Sequence, residues 1–311
     1  MRSAEYLLYR LNFVDREGLF SKPVRTDEEI RLLVRTATTE RSDLVQSRPR
    51  SGSRWSLRQE QADFLEDLEN RQFISVIFSH EATYKEGPIV TARGISRGVS
   101  DISPPTATTV HVVFDLKRHV VAIQDVPAIM QAKRGWKTHL ELILNSGAIW
   151  NNFTSMVSLD PIAPRQIIEK RLSNFIRVTR LRLTLRIPNP DLGPSFQRLY
   201  DEMNRGGIRE LTEDMRSARG LDLTEDSLPK ASLDMALSGY RKGEVRIYGY
   251  KSNNERDKVT IADDVARIEI DGLRDLVSGI QVGSTSAEVK RVVRAIIRRI
   301  DEMLPSRSVD Q

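Results

Sequence analysis

"RLRLTLRIPNP", residues 180–190, alternates apolar and basic side chains. Successive side chains of extended backbone point to opposite faces. Leu181, Leu183, Leu185 and Ile187 therefore form one face, and Arg180, Arg182, Thr184 and Arg186 the other. The pattern predicts a strand with a buried apolar side and an open cationic side. Guanidinium groups on an open strand face serve one of two ends: solubility and edge protection, or a surface that meets phosphate.

The neighbouring segments place that strand in an α+β fold. Before it, "NNFTSMVSL" (151–159) reads as a strand, and "PRQIIEKRLSNF" (164–175) as a helix with Pro164 in the tolerated first turn. After it, "GPSFQRLYDEMNRGG" (193–207) and "SLPKASLDMALSGY" (227–240) read as helices, "GEVRIYGYKS" (243–252) as a strand, and residues 284–304 as a long terminal helix. "LTED" occurs at 211–214 and again at 223–226, and its acids suit the first turns of helices.

In the first half, "EYLLYRLNF" (5–13) predicts a strand with Leu7, Tyr9, Leu11 and Phe13 inward. Thr26 and Glu29 have the spacing of a capping box at the head of a helix over 26–37. Residues 41–56 lack periodicity and read as a loop. "LRQEQADFLEDLEN" (57–70) reads as a helix burying Phe64, Leu65 and Leu68. "QFISVIFSHEATY" (72–84) and "PIVTARG" (88–94) read as two arms of a ribbon joined through Gly87 and Pro88. "VHVVFDLKRHVVAIQ" (110–124) is the clearest hairpin, and "GWKTHLELIL" (135–144) a helix ended by "NSG" at 145–147. The expected architecture is two lobes of mixed, largely antiparallel sheet packed with helices. Residues 1–150 would form a β-rich N-terminal lobe with hairpins and helices. Residues 151–311 would form an α+β lobe with basic strands and a terminal amphipathic helix.

The 311 residues are 39% hydrophobic and 29% charged, enough to bury real cores. No stretch reaches the ~18 uninterrupted apolar residues of a membrane span, so no membrane insertion is expected. "MRSAEYLLYRLNF" carries charges inside its apolar run and lacks a small-residue cleavage site, which argues for a strand rather than a signal peptide and for a cytoplasmic home. With no cysteine there is no disulfide, thiol nucleophile or cysteine-ligated metal. The net charge of +5 is modest, but arginines dominate it and gather apart from the acids, which favours a polyanionic partner.

"GISRG" (94–98) matches G-x-S-x-G with Ser96 in the nucleophile position, the alternative reading being a serine hydrolase. A nucleophile elbow must run on into a helix, whereas "VSDISPP" follows. His111 and His119 flank Asp115 on the hairpin, but an even-length turn sets His111 with Val113 and Ala122, and His119 with Phe114 and Val121, on opposite faces, where they cannot share an ion. No phosphate loop, dinucleotide fingerprint or H-E-x-x-H occurs, and no metal or cofactor is expected.

Three segments support binding to a polyanion. Arg177, Arg180, Arg182 and Arg186 occupy a stretch without a local acid. In 243–252, Val245 and Ile247 point inward, and Arg246, Tyr248 and Tyr250 share the other side with Lys251 beside them. On the terminal helix, Val289, Val292, Val293, Ile296, Ile297, Ile300 and Leu304 form a buried stripe that leaves Lys290, Arg291, Arg294 and Arg298 outside. Thr285 and Glu288 fit a capping box there. The expected function is non-enzymatic, backbone-directed nucleic-acid binding with no base-reading motif, a protein-interaction scaffold whose basic face meets acidic protein being a further alternative.

The order of these pieces, "FDLKRHVVAIQ", then "RLRLTLRIPNPD", then "ALSGYRKGEVRIYGY" and a basic terminal helix, resembles RexA-like phage-exclusion proteins and related bacterial families found near phage-defence genes. The resemblance implies a cytoplasmic homodimer that binds double-stranded DNA non-specifically and signals to a defence effector protein in abortive infection. It carries over no catalytic residue.

Overall fold

A computed structural model describes residues 3–15, 26–39, 46–47, 53–68, 71–92, 94–130, 135–187, 197–225, 227–280 and 285–304. Strand β1 (Ala4–Asp15) is apolar on both faces and lies between two cores. Leu7, Tyr9, Leu11 and Phe13 enter one of them, and Ala4, Tyr6 and Leu8 the other. Around β1 assemble β2 (Gln46–Ser47), β3 (Ser53–Leu68), β4 (Arg71–Thr91), β5 (Gly94–Asp115), β6 (Val120–Gln124), β7 (Ser155–Pro161) and, from far along the chain, β12 (Arg267–Ile270). The order is β12-β1-β6-β5-β4-β3-β2, with β7 paired to the second half of β1, and every pairing is antiparallel.

Helices α1 (Asp27–Thr39), α2 (Pro127–Met130) and α3 (Gly135–Trp150) cover the first face of this sheet. Gly147 lies where α3 crosses α1: a Cβ there would sit 2.6 Å from the Leu33 carbonyl oxygen. The "NSG" segment is thus a packing contact, and the helix ends later, where Asn152 takes φ +56°. Helices α7 (Arg274–Ile280) and α8 (Ser286–Met303) cover the second face. Both expected capping boxes form, at Thr26/Glu29 and Thr285/Glu288.

The second sheet is an excursion from the first. The chain leaves after β7, forms α4 (Arg165–Leu172), β8 (Phe175–Arg186), α5 (Gln197–Arg205), β9 (Glu210–Arg216), α6 (Leu228–Leu237), β10 (Val245–Lys251) and β11 (Arg256–Ile261), and returns at β12. Departure and return are tied together: Ala266 N donates to the Ile162 carbonyl (2.7 Å), Ile162 N to Leu8 (3.1 Å), and Leu8 N to Ala266 (3.0 Å). The four strands run in the order β11-β10-β8-β9. Leu181, Leu183, Leu185, Val245 and Ile247 face inward onto Ile168, Leu199, Met203, Leu233 and Leu237 of α4, α5 and α6.

The molecule is therefore α+β with two sheets, but the expected division at residue 150 is corrected. β7, β12 and α8 belong to the first sheet and its cores, because each presents an apolar edge or stripe that only the first sheet covers. The helix expected over 57–70 is instead part of β3. Register shifts after Arg58 and after Leu65 turn both Leu65 and Leu68 into the second core, a spacing that imitates helical periodicity. "QFISVIFSHEATY" and the "PIVT" of "PIVTARG" are one strand, β4, whose partner is β5. Pro104 and Pro105 lie in the stretch of β5 between Asp101 and Thr106 that bulges out of the ladder, where a missing N–H costs no pairing. The loop expected over 41–56 lies mostly outside the described residues, and its described part pairs in β2 and β3. Among the described residues, no helix is long and apolar enough to cross a membrane.

Candidate nucleic-acid interface

The second sheet packs its inner side on α4, α5 and α6, and among the described residues no helix covers its outer face. Register fixes what stands there. Across β11, β10 and β8, Arg256 pairs with Tyr250 and Tyr250 with Arg177. In the next row Lys258, Tyr248, Arg180 and Arg216 follow one another across all four strands. The third row holds Thr260, Arg246, Arg182 and Asp214. Seven cations thus surround two tyrosines.

Strict alternation would put Arg177 and Arg180, three apart, on opposite faces. A register shift between Tyr248 and Gly249 leaves Thr179 as the extra residue and restores both arginines to the outer side. Gly249 permits this: a Cβ there would lie 2.6 Å from the Arg177 carbonyl oxygen and 2.8 Å from the Phe175 ring. The Arg177 guanidinium lies over the Tyr250 ring at 4.9 Å, and that of Arg180 over Tyr248 at 5.4 Å.

The cations differ in what already neutralises them. Asp214 accepts two bonds from Arg180, both 2.7 Å, and others from Arg216, which hold its carboxyl well below the usual range and raise both arginines. Arg246 pairs with Glu244. Among the described residues, Arg177, Arg182, Arg256 and Lys258 have no carboxylate partner, and Arg182, Arg256 and Lys258 are exposed.

Six expected members of the site lie elsewhere. Arg186 sits at the junction of the two sheets, donating to Asp160 and Ser158 and pairing with Glu210 at 3.7 Å; its side chain is only 14% exposed. Asp160 in turn accepts from Asn12 (2.8 Å), so this arginine joins two sheets. Lys251 follows a second register shift, falls on the inner side of the strand and pairs with Asp257 at 2.7 Å, which raises its pKa. Lys290, Arg291, Arg294 and Arg298 are exposed on α8, which packs on β3 and β12 of the first sheet. The basic residues of β8 and β10 and those of α8 thus stand on elements that pack into different cores. Arg216, Arg256 and Lys258 are the members that sequence reasoning missed. The alternation of "ELTEDMR" could have revealed Arg216, but its acids read as a helix start.

Ser96 stands on β5 opposite Ile89, exposed, in a strand that continues to Asp115. No elbow forms. Of the four histidines, His80 lies nine residues along β4 from Ile89, about 30 Å of strand. His139 stacks on the same Trp55 as His80. His111 lies farther still, buried, with Nδ1 2.8 Å from the Tyr6 hydroxyl and Nε2 2.8 Å from the Ser75 hydroxyl. His119 is in the four-residue turn, its ring against Phe13. A nucleophile–base contact of ~3 Å is out of reach. The two hairpin histidines do fall on opposite faces: Asp115 pairs with Val120, His111 bonds Tyr6 of the second core, and His119 packs on Phe13 of the first. Among the described residues, no three His, Asp or Glu side chains converge as a metal site would need.

The model of a domain of unknown function, DUF4747, matches residues 100–275, more than half of the chain. The chain belongs to the DUF4747 family. No curated protein matches the sequence. The DUF4747 segment begins in β5 and ends just beyond β12, so it contains the whole second sheet and its outer face. It stops short of α8 and its basic residues.

Proposed function

We propose that this DUF4747 protein binds nucleic acid through the outer face of its second sheet, gripping the sugar–phosphate backbone without reading base sequence, and that it acts by binding rather than by catalysis. One observation carries the reading: Tyr248 and Tyr250 are aligned on an inner strand with cations on both flanks, and four of those cations lack a carboxylate among the described residues. Exposed arginine and lysine bound to phosphate release counterions, and aromatic rings between them offer surfaces for sugars or bases. A face meant only for solubility would have no need of tyrosines. The resemblance to phage-exclusion proteins supports a place for this binding in bacterial antiviral defence, with duplex DNA as its implied ligand, a homodimer as its implied assembly and an effector protein downstream.

The test is fluorescence anisotropy with a labelled oligonucleotide at several ionic strengths, comparing the wild type with Arg182→Ala/Lys258→Ala. The double variant should bind at least tenfold more weakly with a flatter salt dependence. Unchanged affinity would remove the face from the reading.

A further inference from the structure

We infer that the ligand of this face is single-stranded nucleic acid, its bases stacking at Tyr248 and Tyr250, rather than a duplex. The inference rests on the nucleic-acid-binding reading above and narrows it.

The face is too wide for a duplex groove. Four strands at about 4.8 Å spacing put β11 and β9 about 14 Å apart, backbone to backbone, before any side chain is added. The major groove of B-form DNA is only about 12 Å wide. The face cannot enter it, so a duplex would touch the sheet along one convex ridge and leave much of the array idle.

The rings are placed for unstacked bases. Tyr248 and Tyr250 lie on β10, with β11 on one side and β8 on the other, so both are inside the sheet rather than at its rim. Two residues of strand separate them by about 7 Å, roughly twice the ~3.4 Å rise between stacked bases. Neighbouring bases can meet both rings only if they are drawn out of their stack. Duplex pairing forbids that; a single strand allows it.

Cations flank each ring on both sides. Tyr250 stands between Arg256 and Arg177, and Tyr248 between Lys258 and Arg180. Arg177 and Arg180 already lie over the rings, at 4.9 and 5.4 Å. A base can stack on the outer side of a guanidinium plane or take its place on the ring, releasing the arginine to phosphate. Arg256 and Lys258, exposed on the far strand, then hold the backbone on the opposite flank. Tyr250 thus has one base position with a phosphate contact on either side, and Tyr248 one base position with its phosphate contact at Lys258, since Asp214 holds Arg180.

The experiment measures anisotropy of a labelled poly-pyrimidine single strand and of a duplex of equal length, with wild type, Tyr248→Leu/Tyr250→Leu and Tyr248→Phe/Tyr250→Phe. A second readout is the fluorescence of 2-aminopurine within the single strand, which responds to stacking. The single strand should bind at least tenfold more tightly than the duplex. The leucine pair should lose about tenfold per ring on the single strand and little on the duplex, and the phenylalanine pair should stay within about twofold of wild type. Should the leucine pair fail to fold, the strand preference and the 2-aminopurine signal of the wild type decide alone. A duplex bound as tightly as the single strand, or a 2-aminopurine signal unmoved by binding, overturns the inference while leaving the nucleic-acid reading in place. Binding of neither form overturns both.

Discussion

Asp214→Asn should strengthen nucleic-acid binding. Asp214 is the carboxylate between Arg180 and Arg216, and it occupies both guanidinium groups at 2.7 and 2.8 Å. The amide keeps its size but withdraws the charge, so one or both arginines become available to phosphate. For single strands each added phosphate contact steepens the salt dependence of log K by about 0.7, worth about fivefold in affinity at ~0.1 M salt. The variant should therefore bind about five- to 25-fold more tightly, with a slope steeper by about 0.7 to 1.4. Anisotropy titrations between ~50 and ~200 mM salt read both quantities, and thermal melts verify that the fold is retained. Weaker binding, or an unchanged slope, would mean that Arg180 and Arg216 do not face the ligand.

Arg186→Ala should act on folding instead of binding: it strips a cation from the buried Asp160 and costs about 3 kcal/mol in urea unfolding, and intact stability with lost binding would reverse that assignment. Gly249→Ala forces a Cβ against the Arg177 carbonyl and the Phe175 ring and should cost about 1–3 kcal/mol by overpacking; a neutral melt would deny the close approach at the strand irregularity. Burial holds His111 neutral, its pKa pushed down to about 3 from 6.5. The unfolded chain then binds the proton first, so His111 makes stability fall as pH drops from about 6.5 towards 3, by up to about 1.4 kcal/mol per pH unit. His111→Gln should flatten the urea midpoint's fall between pH 7 and 5, and a variant as steep as wild type would contradict this.

Alternation made the arginine strand legible, because Leu181, Leu183 and Leu185 had only one way to be buried together. The same rule placed Arg246, Tyr248 and Tyr250 on one side of β10, and the even turn separated His111 from His119. What could not be read was pairing. Nothing local states that β10 lies beside β8, or that Arg216, Arg256 and Lys258 complete the rows. Nor does local sequence announce that Asp214, 34 residues from Arg180, neutralises it. The helix expected over 57–70 failed because a strand broken by register shifts can space Phe64, Leu65 and Leu68 as a helix would. The division at residue 150 failed for a different reason: β12 returns to β1 from 260 residues away, a contact that pattern alone does not encode.

The central claim is that unneutralised cations on the second sheet hold a nucleic-acid backbone, and the salt dependence of wild-type binding tests it most directly. Arg177, Arg182, Arg256 and Lys258 supply four contacts, so log K for a single strand should fall with log salt at a slope of about −3. A slope near zero, or no binding at ~50 mM salt, would contradict the account.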